Sequence, residues 1–168
     1  GGGEAGYETR VPPVPLSRYT SAGITTVIGV LGTDDVTRDT AGLVATARGL
    51  EAEGLSAWCH TGGYHYPPVT LTGSVRGDIV HIDRIIGVGE VALSDHRSSQ
   101  LTLEELLKLA GEAHVGGLMT GKAGVRALRQ KGHVSPSALK RGMGAGVRAA
   151  AARDARHWTS GRLRSNDR

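Results

Sequence analysis

Ile24-Thr-Thr-Val-Ile-Gly-Val-Leu31, followed by Asp39–Glu53 and then Leu55-Ser-Ala-Trp-Cys-His60, is the stretch whose reading decides the fold. The first piece is β-branched and almost continuously apolar, which predicts a strand covered on both faces. The second carries Leu43, Val44, Ala47 and Leu50 at helical spacing, and Gly54 closes it. The third reads as a second buried strand. Strand, crossover helix and strand in that order form a parallel βα unit.

The same alternation continues on both sides. Residues 1–14 are Gly-rich and then Pro-rich and read as a loop, and Leu16–Ala22 as a short helix with Ser17 near its start. Asp78–Ile86 reads as helix, with Ile79, Ile82, Ile85 and Ile86 on one stripe, and Val88–Leu93 as a strand. Leu101–His114 is the clearest helix. It carries Leu103, Leu106, Leu107 and Ala110 on one face and Glu104, Glu105 and Lys108 on the other. Val115-Gly-Gly-Leu-Met119 is expected to begin a further strand. The fold class is therefore α/β, either a barrel or an open doubly wound sheet. Three or four units make less than half of an eight-unit barrel, for which ~250 residues is typical, so the count implies a fragment.

Composition bounds the partners. With 26 Gly, two Trp and no Phe in 168 residues, the core must rest on Val, Ile, Leu and Ala. Cys59 is the single cysteine, which excludes an internal disulfide and fits a reducing compartment. No run approaches the ~18 apolar residues of a membrane span and no basic-then-apolar leader opens the chain, so the expected location is cytoplasmic, with no membrane partner. Gly1 in place of Met places the expected start of the protein upstream. Residues 1–125 hold 9 Lys/Arg against 14 Asp/Glu, a net of −5, whereas residues 126–168 hold 11 against 2, a net of +9. That last segment is built from Arg, Ala, Gly and Ser, with no clear strand and a helix over Arg148–Arg156 on propensity alone. We read it as an unrelated basic, disordered tail, and prefer its origin as out-of-frame translation of a GC-rich gene. Its bland alternative is a genuine basic tail. Such a tail would suit nucleic acid, but it lacks stacking aromatics apart from Trp158, so nucleic acid is the minor expectation.

Several side chains fall where α/β proteins keep their sites, at the C-terminal ends of parallel strands. Glu90, between Val88 and Val91, is costly to bury unless a cation or hydrogen-bond donors meet it. It is either a metal ligand or a solvent-facing strand end. Arg97 ends Ser94-Asp-His-Arg97 and suits a substrate carboxylate, or an ordinary loop ion pair with Asp95. Tyr64, after Thr61-Gly-Gly63, could hold a developing oxyanion or merely anchor its loop. Thr33 is placed in the same way after the first strand, and could equally cap the next helix. Glu4, set among Gly1–Gly3 and Gly6, lies on backbone able to approach a ligand, or in a flexible linker. Gly87-x-Gly89-x-x-Ala92 matches a loose dinucleotide fingerprint, but the following residues alternate as a strand instead of opening a helix. None of the seven histidines forms a His-x-His or His-Glu-x-x-His pattern, and His60 and His65 flank a glycine turn unspecifically.

Together these stretches resemble the isoaspartyl dipeptidase (β-aspartyl peptidase) family of the amidohydrolase superfamily. The likeness runs through Gly1-Gly-Gly-Glu-Ala-Gly6, Ser21–Asp34, Gly54-Leu-Ser-Ala-Trp58, Thr61-Gly-Gly-Tyr-His65 and Leu71-Thr-Gly-Ser-Val75. It continues through Ile82–Gly87, Ser94–Ser98 and Val115-Gly-Gly-Leu118 to Gly121-Lys122. It covers about residues 1–125 and stops there, which divides the chain into a partial barrel and the tail at 126–168.

The resemblance implies part of a (β/α)8 TIM-type barrel accompanied by a small β domain. It also implies a metallo-dipeptidase in which two zinc ions share the hydroxide that attacks a β-aspartyl amide. The expected partner is a small β-aspartyl dipeptide, and the intact enzyme is expected to be a homo-oligomer. Residue by residue, Glu4 would take the substrate's α-amino group, Gly2 would lie against the substrate, Thr33 and Arg97 would hold carboxylates, and Tyr64 would polarise the scissile carbonyl. Members often bridge the metals with a carbamylated lysine. Counting back from Ser94, Glu90 falls at that position, which implies a direct carboxylate bridge. The His-x-His pair should precede Gly1, and the later histidine ligands and the acid/base aspartate should follow Val125. The zinc site is therefore expected to be incomplete here and the 168 residues inactive alone. A dihydroorotase-like cyclic amidase is the neighbouring alternative, which the Gly-Gly-Gly-Glu-Ala-Gly and Thr-Gly-Gly-Tyr-His motifs disfavour.

Overall fold

The alternation appears as four strands and three crossover helices in the computed structural model, which describes residues 7–93 and 96–129. After a 3-10 turn at Tyr7–Thr9 come α1 (Leu16–Ser21), β1 (Thr26–Gly29), α2 (Thr40–Ala52), β2 (Ser56–Thr61), α3 (Val75–His81), β3 (Ile85–Ala92), α4 (Leu103–Thr120) and β4 (Val125–Arg129). All pairs are parallel and the spatial order follows the chain, β1-β2-β3-β4. An order with no reversal sends every right-handed crossover to the same side. One core layer results, in which Val44, Ala47, Val75, Ile79, Leu109 and Ala113 of the helices meet Ala57, Cys59, Ile85, Val88 and Val91 of the sheet. A doubly wound sheet needs a reversal. This sheet fits part of a TIM-type barrel.

Local chemistry sets the helix starts. Asp39 accepts the Gly42 N–H at 2.7 Å to cap α2, and Ser74 accepts the Gly77 N–H at 2.9 Å to cap α3. Thr102 and Glu105 form a reciprocal capping box on α4, which ends at Gly121 in the left-handed region.

Five expectations are corrected. β1 is not covered on both faces: Ile28 is 51 % exposed, and among the described residues β1 pairs only with β2. The helix expected over Asp78–Ile86 stops at His81, because Ile82 is extended and Ile85 and Ile86 already belong to β3. A short isoleucine run satisfies both periods, and here Lys122 closes the helix by donating to the Ile79 and Ile82 carbonyls at 2.6 Å each. Val115–Met119 is not a strand but the last turns of α4, whose paired glycines allow close packing: a Cβ on Gly116 would press on Ile79, and one on Gly117 on Gly124. On α4 the buried face is Leu106, Leu109, Ala110 and Ala113, and Leu103 points outward. β4 also includes Arg126–Arg129, the first residues of the segment read as tail. The remainder of that segment lies outside the described residues, as do Gly2 and Glu4. Among the described residues, no helix is long and apolar enough to cross a membrane.

Candidate functional site

The loops that leave the C-terminal ends of β1, β2 and β3 meet around Tyr64. The Tyr64 N–H donates to the Gly32 carbonyl at 2.9 Å, which seats the β2 loop directly beside Thr33. The Arg97 guanidinium lies over the Tyr64 ring, 5.3 Å from its centroid, and the Tyr66 N–H donates to Ser99 Oγ at 3.0 Å. Tyr64 itself is 3 % exposed. Three of the residues read from the sequence, Thr33, Tyr64 and Arg97, thus fall in one loop cluster. Thr33 does not cap the following helix, a role Asp39 fills. Asp95, the loop partner considered for Arg97, is outside the described residues.

Glu90 stands on β3 where the pairing with β4 shifts register between Val88 and Val91. The glycines around it have a packing reason. A side chain on Gly87 would strike the Val125 carbonyl, and one on Gly89, at φ +135°, the Ala127 carbonyl. They let β3 and β4 approach closely, and this packing accounts for the glycine spacing.

Beneath the β2 loop sits Asp78, fully buried. It accepts the Leu71 N–H, the Thr72 N–H at 2.7 Å, the Thr72 hydroxyl at 2.8 Å and the Thr61 hydroxyl. These donors meet the desolvation cost of the carboxylate and tie the return of the loop to α3. In the β1 loop, Asp34 accepts both the hydroxyl and N–H of Thr37, and the hydroxyl bond foremost holds its carboxyl below the ordinary range.

Sequence reasoning passed over Asp35 and left His65 without a role. The Asp35 carboxylate, 1 % exposed, pairs with His65 Nδ1 and accepts the His65 N–H at 3.4 Å. The available signal was an acidic pair next to Thr33, with a histidine next to Tyr64. His60, on β2, is buried with neither ring nitrogen hydrogen-bonded, and burial pushes its pKa down.

The described residues contain no group of three or more His, Cys, Asp or Glu side chains able to hold a metal ion. Glu90, in the C-terminal half of β3, offers one carboxylate, a donor suited to a divalent ion, but not a closed set.

No family model matches the chain. Solved structures do. The crystal structure of β-aspartyl dipeptidase from the thermophilic keratin-degrading Fervidobacterium islandicum AW-1 is 53% identical, with a TM-score of 0.77, over 78% of this chain and 36% of that one. A crystal structure from the same organism in complex with β-Asp-Leu dipeptide is 54% identical, with a TM-score of 0.75, over 76% and 34% of the two chains. The chain spans about a third of the length of these enzymes. The likeness stated from the motifs is therefore one of sequence and fold together.

Proposed function

We propose that these residues form part of the catalytic face of a metal-dependent β-aspartyl dipeptidase, built as a (β/α)8 barrel. The observation that carries the reading is the meeting of Thr33, Tyr64 and Arg97 in one loop cluster, in a chain more than half identical to β-aspartyl dipeptidases over its matched length. The substrate would be a small β-aspartyl dipeptide such as β-Asp-Leu, the ligand of the second structure.

In this reading Arg97 and Thr33 hold the substrate's carboxylates, the arginine by a bidentate pair and the threonine through its hydroxyl. Glu4 takes the α-amino group, and Gly2 lets the backbone lie against the substrate. Tyr64 donates its phenol hydrogen bond to the scissile carbonyl oxygen. Its burial removes competing water, so the bond strengthens as negative charge develops on that oxygen. Arg97 packs over the Tyr64 ring, 5.3 Å from its centroid, which couples the placement of the arginine to that of the phenol. Glu90 would be one of the carboxylates holding the metal, zinc in this reading as a pair of ions, which would supply the activated water.

The test is hydrolysis of β-Asp-Leu against α-Asp-Leu by the polypeptide expressed from these codons in their native gene context, scored by released leucine. Cleavage of the β isomer alone, abolished by a chelator and lowered about 10²–10³-fold in kcat by Tyr64→Phe, is the expected result. Equal cleavage of both isomers, or a Tyr64→Phe enzyme with unchanged kcat, overturns the reading. The 168-residue chain by itself is expected to carry far less than two zinc ions per molecule by metal analysis. Stoichiometric tight binding would refute that expectation.

A further inference from the structure

The β2 loop touches the β1 loop at three successive residues. Gly63 lies so close to Asp35 that any side chain there would enter the carboxylate. The Tyr64 N–H donates to the Gly32 carbonyl. His65 donates to Asp35 both from its backbone and from ring Nδ1. The two partners differ in exposure: the Asp35 side chain is 1 % exposed, the His65 ring 48 %. A carboxylate that deep is costly unless donors reach it, and His65 supplies two of them. The Nδ1–H is present in one neutral tautomer and in the imidazolium alike, so the bond does not depend on His65 being charged.

We propose that Asp35 and His65 are a positioning pair, a latch between the two loops that holds Tyr64 in register with Thr33 and Arg97. The proposal rests on the β-aspartyl reading, which gives Tyr64 its role. Neither residue of the pair touches the substrate in it. Tyr64 is flanked on both sides by the latch, at Gly63 and at His65, so its backbone cannot shift without breaking contacts to Asp35. Misplacing a catalytic group by about 1 Å can cost about 10²-fold in rate, which is why a support of this kind carries functional weight.

The test compares His65→Ala with His65→Asn. The asparagine amide occupies the place of Nδ1 and can still donate to Asp35, whereas alanine cannot. In the 168-residue chain, amide hydrogen exchange at residues 62–66 should rise about tenfold or more in His65→Ala, while the Cys59 amide, bonded to the Arg84 carbonyl in the sheet, stays protected. His65→Asn should restore most of the protection, and Asp35→Asn should loosen the same residues. Unchanged exchange at 62–66, an increase spread equally over the sheet amides, or His65→Asn as loose as His65→Ala overturns the latch. In the polypeptide of native gene context, His65→Ala should lower kcat for β-Asp-Leu about tenfold with KM nearly unchanged, and His65→Asn should recover it. A wild-type polypeptide that leaves β-Asp-Leu intact refutes the functional reading, and the exchange comparison still decides the latch.

Discussion

Replacing Asp78 should unfasten the loop that carries Tyr64. Its carboxylate is fully buried and gathers four donors: the N–H groups of Leu71 and Thr72 and the hydroxyls of Thr61 and Thr72. In Asp78→Ala all four lose their acceptor. Thr72 and Leu71 are exposed and regain water, so their cost is small. Thr61 is fully buried, yet its hydroxyl can turn wholly to the Val69 carbonyl at 3.3 Å. What remains is the loss of hydrogen bonds to a charged acceptor, about 1.5–3 kcal/mol apiece before such recovery, together with a small cavity against α3. A total of about 3–4 kcal/mol follows, a large part of the stability of a domain this size. Asp78→Asn keeps one oxygen but turns an NH₂ toward the remaining donors, and about 2 kcal/mol is expected. Urea unfolding followed by circular dichroism at 222 nm measures both, through the midpoint at constant slope. An Asp78→Ala loss below about 1 kcal/mol would refute the reasoning, because it would mean that the buried carboxylate is no better placed than water for its donors.

Three other outcomes are expected. His60 has its pKa depressed by burial, so the unfolded chain takes up the proton first. The stability that this group contributes is full above about pH 6.5 and is lost as pH falls below it. His60→Leu should remove that part of the fall in urea midpoint between pH 7.5 and 5, and an identical slope in both proteins would count against it. Burial pushes the Cys59 thiol up to about 11, so the unfolded thiol ionises first and stability drops as pH rises from about 9 toward 11. A disulfide reagent at pH 8 should label Cys59 at least about 100-fold more slowly in the native chain than in urea. Gly87→Ala would drive a methyl into the Val125 carbonyl and should cost about 2 kcal/mol or more, with protection lost between β3 and β4 in amide exchange before the β1–β2 ladder is affected.

Most of the sheet was legible because its signals are local. Apolar runs of strand length alternate with helix-period segments, and Asp39, Gly54, Thr102 and Gly121 punctuate them. The misreadings share one cause, which is that contacts between distant residues decided the outcome. Ile85 and Ile86 could join either the helix or the next strand. The sheet claimed them, by pairing Ile85 with Cys59, while Lys122, far along the chain, closed α3. Val115–Met119 has strand-like composition. It stays helical because Gly116 is where α4 crosses Ile79 of α3 and Gly117 where it meets Gly124, contacts that no window of sequence contains.

The site divides along the same line. Thr33, Tyr64 and Arg97 each follow a strand's C-terminal end, so sequence could nominate them as candidates, each with an ordinary loop role as the alternative, and only the family resemblance joined them into one site. The groups that hold them in place are defined by pairing, not by type. Asp35 and His65 lie thirty residues apart, and Asp78 serves a loop that begins after Thr61. A buried aspartate with its donors looks, in sequence, like any surface aspartate. Burial distinguishes them: Asp35 and Asp78 are nearly inaccessible, whereas the other described carboxylates, Asp34 apart, are mostly at the surface. Each deep carboxylate can persist only where folding has already delivered its donors. Both lie against the loop that carries Tyr64, which makes the order of that loop depend on the fold of the sheet beneath it.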